Sequence, residues 1–173
     1  MIYKNDLNTN EFDAYFGNYI EKVADSCSLR DGFAKGRETV LSFFAAIPKE
    51  KLDYRYAPGK WSIKETFQHI IDTERVLMYR CFRIARNDKT SLASFDQDVF
   101  VAPSNAANKT IESLLDEYKA TRNHSISFIN SLRAEDLQQI GISSNSNLSA
   151  RAAAFIVLGH EIWHVAIIKE RYL

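Results

Sequence analysis

Cysteine is scarce in this chain. Cys27 and Cys81 are the only two, they form no C-x-x-C motif, and their neighbours are apolar or mixed. A disulfide-dense scaffold is therefore excluded, and both residues read as small buried hydrophobes. Proline (three) and glycine (six) are also sparse, so few breaks interrupt long helical stretches and strand signals are few. Net charge is missing as well: 22 basic residues balance 22 acidic ones, with no basic run. Binding of nucleic acid or of an anionic membrane by bulk electrostatics has no support in such a balance. No apolar stretch of about eighteen residues occurs, and Met1 to Asp6 offers no charged lead into an apolar signal run. The expectation is a soluble, cytoplasmic protein.

What the chain does have is helical periodicity. Its 173 residues suit one domain, residues 1–173, with a single sizeable core. A short first segment near Glu11 to Val23 carries Phe12, Tyr15, Phe16, Tyr19 and Ile20 at helical spacing. A first main helix spans about Asp31 to Ala46, with Phe33, Val40, Leu41 and Phe44 inward and Pro48 just beyond. The second opens on the capping box Ser62-Ile63-Lys64-Glu65 and runs to about Arg86. The third starts at the N-cap Thr110 and reaches about Leu132, and the fourth spans about Ser149 to Tyr172. Four amphipathic helices predict an all-α four-helix bundle. Between helices two and three lie residues 87–109, far more than a tight antiparallel connection needs. Such a crossover would let helices two and three run parallel. It contains Phe95-Asp96-Gln97-Asp98-Val99-Phe100, an odd mixture for a simple spacer, which reads either as a lid or as a solvated excursion.

The fourth helix carries His160-Glu161-Ile162-Trp163-His164. Side chains at i and i+4 lie one above the other, so the two imidazoles can share one metal ion. Both sit on the apolar stripe with Ala153, Ile156, Val157, Ile167 and Ile168. A single core-facing histidine is ordinarily structural; two on one stripe would each need a buried partner. The letters also satisfy H-E-x-x-H, the zinc-protease signature. Zincin-type proteases take a third ligand further along the chain, and only nine residues follow His164. Glu170 is the sole carboxylate among them, on the same helix and turned away. The third ligand must come from upstream, where the chain offers His69 and His124.

His69 is the better candidate. It lies two turns into helix two, beside Thr66 and Thr73, on the shoulder of the apolar stripe, where it can point into the seam between helices. His124 has polar neighbours and reads as exposed. Glu74 stands at the centre of the stripe between Ile70 and Leu77. A carboxylate there needs a partner, either a nearby arginine or a ligand histidine that it orients.

Tyr56-Ala57-Pro58-Gly59-Lys60-Trp61-Ser62-Ile63-Lys64-Glu65, with His69-Ile70-Ile71-Asp72-Thr73-Glu74-Arg75, resembles the DinB-like (damage-inducible) four-helix bundle family. So do Gly159 to His164 and Ile168 to Leu173. The resemblance covers most of the chain from about residue 30 onward, including the Phe95 to Asp98 loop. It implies a bundle with a long second crossover and a divalent metal on His69, His160 and His164. Trp163 stands where many relatives carry a further histidine. Characterised relatives include transferases and isomerases that use thiols such as bacillithiol, mycothiol or glutathione. Dimers are common among them, so a homodimer is expected.

Three neutral imidazoles would leave a divalent metal, zinc and nickel foremost, with open positions for water or a thiol. Coordination favours the thiolate, which can attack a small electrophile. Alternatives are hydrolysis with Glu161 as base, and a non-catalytic metal that pins helices two and four together. Trp61, Thr73, Asp96 and Asp98 are expected around the open side, with Glu74 and Glu161 nearby. Trp61 as a core plug and the aspartates as loop solvation form the blander alternative.

Overall fold

The computed structural model describes Met1–Leu173. Its helices are α1 (Gly17–Ile20), α2 (Leu29–Ala45), α3 (Ile63–Ala85), α4 (Gln97–Ser104), α5 (Ile111–Ser131), α6 (Ala134–Leu137) and α7 (Ala150–Arg171). The long four, α2, α3, α5 and α7, form the bundle. Each starts on a hydroxyl: Ser28, Ser62, Thr110 and Ser149 accept from the backbone N–H groups of Asp31, Glu65, Ser113 and Ala152. Such a cap contributes about 1 kcal/mol, because it satisfies a donor the helix cannot.

Contacts between helices fix their directions. Gln68 donates to Glu117 (2.9 Å), Arg122 to Glu74 (2.8 Å), and the Phe82 ring lies 5.9 Å from that of Phe128. α3 and α5 therefore run parallel, as the long connection predicts. Arg37 donates to Asn123 and Arg30 to the Leu132 carbonyl, so α2 and α5 are antiparallel. The Tyr172 hydroxyl donates to the Trp61 carbonyl just ahead of α3 (2.9 Å), which sets α7 antiparallel to α3.

The structure departs from the expected elements in three places. The N-terminal segment is not one helix: 3-10 turns at Thr9–Glu11 and Ala14–Phe16 precede the four-residue α1. Phe12 is extended, and the Asp13 carboxylate accepts from the Tyr15 N–H, restarting the turn locally. A two-stranded antiparallel hairpin, β1 (Ile140–Ser143) and β2 (Ser146–Ser149), precedes α7. Its turn residues Ser144 and Asn145 have φ of 51° and 64°, the left-handed pair that matches strand twist. Finally, the 87–109 connection is not bare loop. Leu92 pairs with the hairpin through Ile142 and Ser144, and α4 lies against α3.

α7 is also less amphipathic than its stripe suggests. Every residue from Leu148 to Glu161 is buried, because the N-terminal segment covers the face turned away from α2 and α3. The buried pair Arg151–Glu11 fastens that cover. By length and composition α7 could cross a membrane, yet 67% of its most apolar stretch is buried inside the bundle.

The apolar interior divides into two clusters. One holds Leu77 to Ala85 of α3 with Ala150 to Leu158 of α7; the other holds Ile63 to Ile71 with Val165 to Tyr172. Between them a polar layer crosses the bundle: Thr73, Glu74, Arg122, Ser125, His160, Glu161 and His164, all buried. The candidate site residues concentrate in and beside that layer.

Candidate metal centre

α3 and α7 bring His69, His160 and His164 together. The His160 Nε2 lies 2.9 Å from the His69 Nε2 and 3.1 Å from the His164 Nε2. The three residues are 6%, 5% and 8% exposed, so water cannot solvate their charged forms. Burial depresses the pKa of His69 to about 4 and of His164, with a contribution from His69, to about 3. His160 is pushed well below its usual value by burial and by the other two. All three imidazoles are therefore neutral at pH 7, the form that binds metal. The shoulder position of His69 resolves physically: the seam with α7 encloses it, and the Thr73 hydroxyl sits 3.4 Å from its Nδ1.

Three nitrogens aimed at one point cannot all present lone pairs to one another without a cation or proton between them. A shared proton serves one pair; a divalent ion serves all three. The donor set therefore fits a metal, and three ligands leave coordination positions open.

Aromatic rings wall the triad. Trp61 lies 4.7 Å from His69, Trp163 4.7 Å from His164 and Tyr19 5.4 Å from His160, between ring centroids. Tyr19 was not singled out from the sequence. Gly159 explains its place: a Cβ there would run into the Tyr19 carbonyl, so only glycine lets α1 lie against α7. Besides a small pocket of about 10 Å³ that touches His69 under Phe95 and Phe100, two large cavities adjoin the triad. One of about 350 Å³ reaches His164 between Trp61, Trp163 and Tyr56; the other, of about 390 Å³, reaches His160 between Thr73, Leu77 and Ile156. Tyr15, Tyr19, Gln97 and Asp98 border both, while Asp96 borders the second alone. Asp96 also caps α4, accepting from the Asp98 N–H at 2.9 Å.

Glu74 and Glu161 lie elsewhere in the polar layer, and neither hydrogen-bonds a triad imidazole. Both bind Arg122, at 2.8 and 2.5 Å, and the Tyr118 hydroxyl donates to Glu161 at 3.0 Å. Arg122 is fully buried, and Phe33 and Tyr118 present their rings to it. Burial opposes its charge, but Glu161 and Glu74 outweigh burial and hold its pKa well above the usual value. Burial raises the Glu161 pKa against the pull of Arg122. Glu161 is thus tied away from the imidazoles, and the H-E-x-x-H arrangement lacks its base. His124 is exposed, as its neighbours suggest. Cys81 is buried and its thiol is pushed up to about 12 by burial, while Cys27 is half-buried.

Known proteins agree with this architecture. YfiT from Bacillus subtilis, described as a probable metal-dependent hydrolase with an unusual four-helix bundle topology, superposes with a TM-score of 0.69. The match covers 95% of this chain and 90% of YfiT at 13% identity. A mycothiol-dependent maleylpyruvate isomerase superposes with a TM-score of 0.64 at 8% identity. There the match covers 99% of this chain and 63% of the isomerase, so this chain lacks a counterpart to more than a third of it. At these identities the likeness shows the fold. No curated protein matches the sequence. The sequence profile of the DinB superfamily matches residues 33–168, which include every residue of the histidine triad, and the chain belongs to that superfamily.

Proposed function

We propose that His69, His160 and His164 hold one divalent metal ion, zinc or nickel, and that the centre joins a low-molecular-weight thiol to a small electrophile. The carrying observation is the position of the triad between two cavities of similar size, one reaching His164 and the other His160. A two-substrate reaction needs two such approaches to one centre; hydrolysis needs only one besides water. Mycothiol dependence in the structurally similar isomerase supports the thiol, and the hydrolase description of YfiT supports the metal.

Bound metal would favour the thiolate and fix its sulfur. The residues do the rest. Neutral imidazoles donate lone pairs without competing protonation, and Trp61, Trp163 and Tyr19 exclude water from the reacting sulfur. The thiol proton leaves to solvent, a sulfur–carbon bond forms, and the electron pair displaced onto the neighbouring atom of the electrophile takes up a proton from solvent.

Metal analysis of protein purified without nickel-affinity chromatography should find one ion per chain. Metal-loaded protein should accelerate addition of a thiol to a model electrophile, and His160→Ala should remove that gain. Equal rates for wild type, metal-free protein and the variant across several thiols would refute the reading.

A further inference from the structure

Arg80 is a buried cation with no counter-ion. It is 4% exposed, yet it takes part in no ion pair, unlike the buried arginines Arg122 and Arg151. Its Nη2 donates to the Ala93 carbonyl at 2.8 Å and meets the Ser144 hydroxyl at 3.4 Å. The Phe95 ring lies 5.5 Å from its guanidinium carbon. Those contacts tie the crossover and the hairpin tip to α3, and they leave Nε and Nη1 without a protein acceptor. Burial lowers its pKa. Neither nitrogen is sealed from solvent, since Arg80 lines an open cavity, so both donors are free to take an anion.

Arg80 also lines the cavity that reaches His160. His69, Thr73, Leu77 and Arg80 follow one another on α3 at spacings of four, four and three, which puts them in one row along the helix. Thr73 and Arg80 are separated by about 10 Å along the axis, and a long helical side chain leans back toward the N-terminus. The cavity along this row thus offers His160 and Thr73 at one end, apolar Leu77 with Ile156 of α7 beside it, and an unpaired guanidinium at the other. Asp96 and Asp98 are exposed on the rim, and neither pairs with Arg80.

We propose that this cavity takes a small organic carboxylate, with its apolar body against Leu77 and Ile156 and its carboxylate on the free nitrogens of Arg80. The acid is then the electrophilic substrate, and the thiol occupies the Trp61–Trp163 cavity. Calling it a substrate rests on the thiol-transfer reading; its binding does not.

The probes are trans-cinnamate and its neutral isostere trans-cinnamamide, titrated against metal-loaded and metal-free protein with tryptophan fluorescence or calorimetry as readout. Metal-free protein removes coordination of the carboxylate by the ion. Cinnamate should bind wild type at least about tenfold more tightly than the amide in both forms, the scale of a charge-assisted hydrogen bond. Arg80→Gln should bring the two affinities within about twofold, with metal stoichiometry unchanged, and Arg80→Lys should keep part of the preference. Equal affinities in wild type, or an undiminished preference in Arg80→Gln, would overturn the proposal. Should Arg80→Gln fail to fold, the wild-type comparison and Arg80→Lys decide. An acid preference without thiol transfer would uphold the Arg80 site and refute the reaction; transfer without an acid preference would do the reverse.

Discussion

Arg122 stands fully buried between two carboxylates, and that position dominates its energetics. Its guanidinium binds Glu74 and Glu161 from two different helices, so it joins α3, α5 and α7 at mid-height. Replacing it with Met keeps the volume but strands both carboxylates. Breaking a buried pair from one side costs about 3–5 kcal/mol, whereas exchanging the whole cluster for apolar residues can be neutral. Arg122→Met should therefore lower the urea midpoint far more than Glu74→Met with Glu161→Leu and Arg122→Met together. A single variant as stable as wild type would contradict this account. The sequence carried half of the cluster: Glu74 between Ile70 and Leu77 demands a partner. Arg122 shows the same signal on α5, where Leu114, Tyr118, Ser125 and Ile129 share its buried face. Arginine reads as a surface residue until two charged interruptions on neighbouring stripes are paired with each other. Arg80 carries no such signal, because no charged interruption on a neighbouring stripe pairs with it.

At the scale of elements, the N-terminal segment is part of the site although its own helical content is slight. Tyr19 reaches the triad, and Tyr15 the rim of both cavities, because α1 lies directly on α7 at Gly159. A glycine inside a helix costs roughly 1 kcal/mol relative to alanine, so Gly159→Ala ought to stabilise on propensity alone. Here the added Cβ meets the Tyr19 carbonyl, and backbone cannot yield as a flexible side chain does. Overpacking of that kind costs about 1–3 kcal/mol and outweighs the propensity gain. Gly159→Ala should lower the melting temperature and expose Tyr15 and Tyr19 to limited proteolysis while metal stoichiometry holds. A rise in melting temperature would show that α1 moves aside freely. The four long helices were legible because apolar spacing and hydroxyl caps agree along them. The hairpin was not: each strand has four residues, β2 holds no β-branched residue, and the bridge that backs β1 comes from Leu92, about fifty positions away in the sequence. The 3-10 turns are hidden for a related reason, since aromatic spacing suggests a helix while the Glu11 carboxylate, accepting from the Asn8 N–H, and the Asp13 carboxylate, accepting from the Tyr15 N–H, redirect the backbone locally.

For the whole molecule, the α3–α5 seam and the N-terminal cover make stability depend on pH through carboxylates held as anions. Burial raises the Glu11 pKa, but the Arg151 guanidinium and the Asn8 backbone N–H outweigh it and bring the value to about 2. Glu117 reaches about 2 in the same way, burial being overcome by Lys109, Gln68 and Arg75 across the α3–α5 seam. A carboxylate whose folded pKa is depressed binds fewer protons folded than unfolded. Its contribution is complete above the ordinary value near 4.5 and disappears as pH falls toward 2. The two contacts differ in what they hold. Glu117 joins long helices that also bury apolar faces against each other, so protonating it weakens a bundle that remains packed. Glu11 is the main polar tie of the N-terminal cover to α7, so protonating it loosens Tyr15 and Tyr19 before the bundle unfolds. Glu11→Gln should therefore lower the urea midpoint at pH 7 and flatten its fall between pH 4.5 and 2. The same substitution should open the cavities beside the triad at neutral pH, read as faster quenching of Trp163 fluorescence by acrylamide. An unchanged slope of midpoint against pH in Glu11→Gln would mean that the cover is held by its apolar contacts alone, with the Arg151 pair contributing nothing to it.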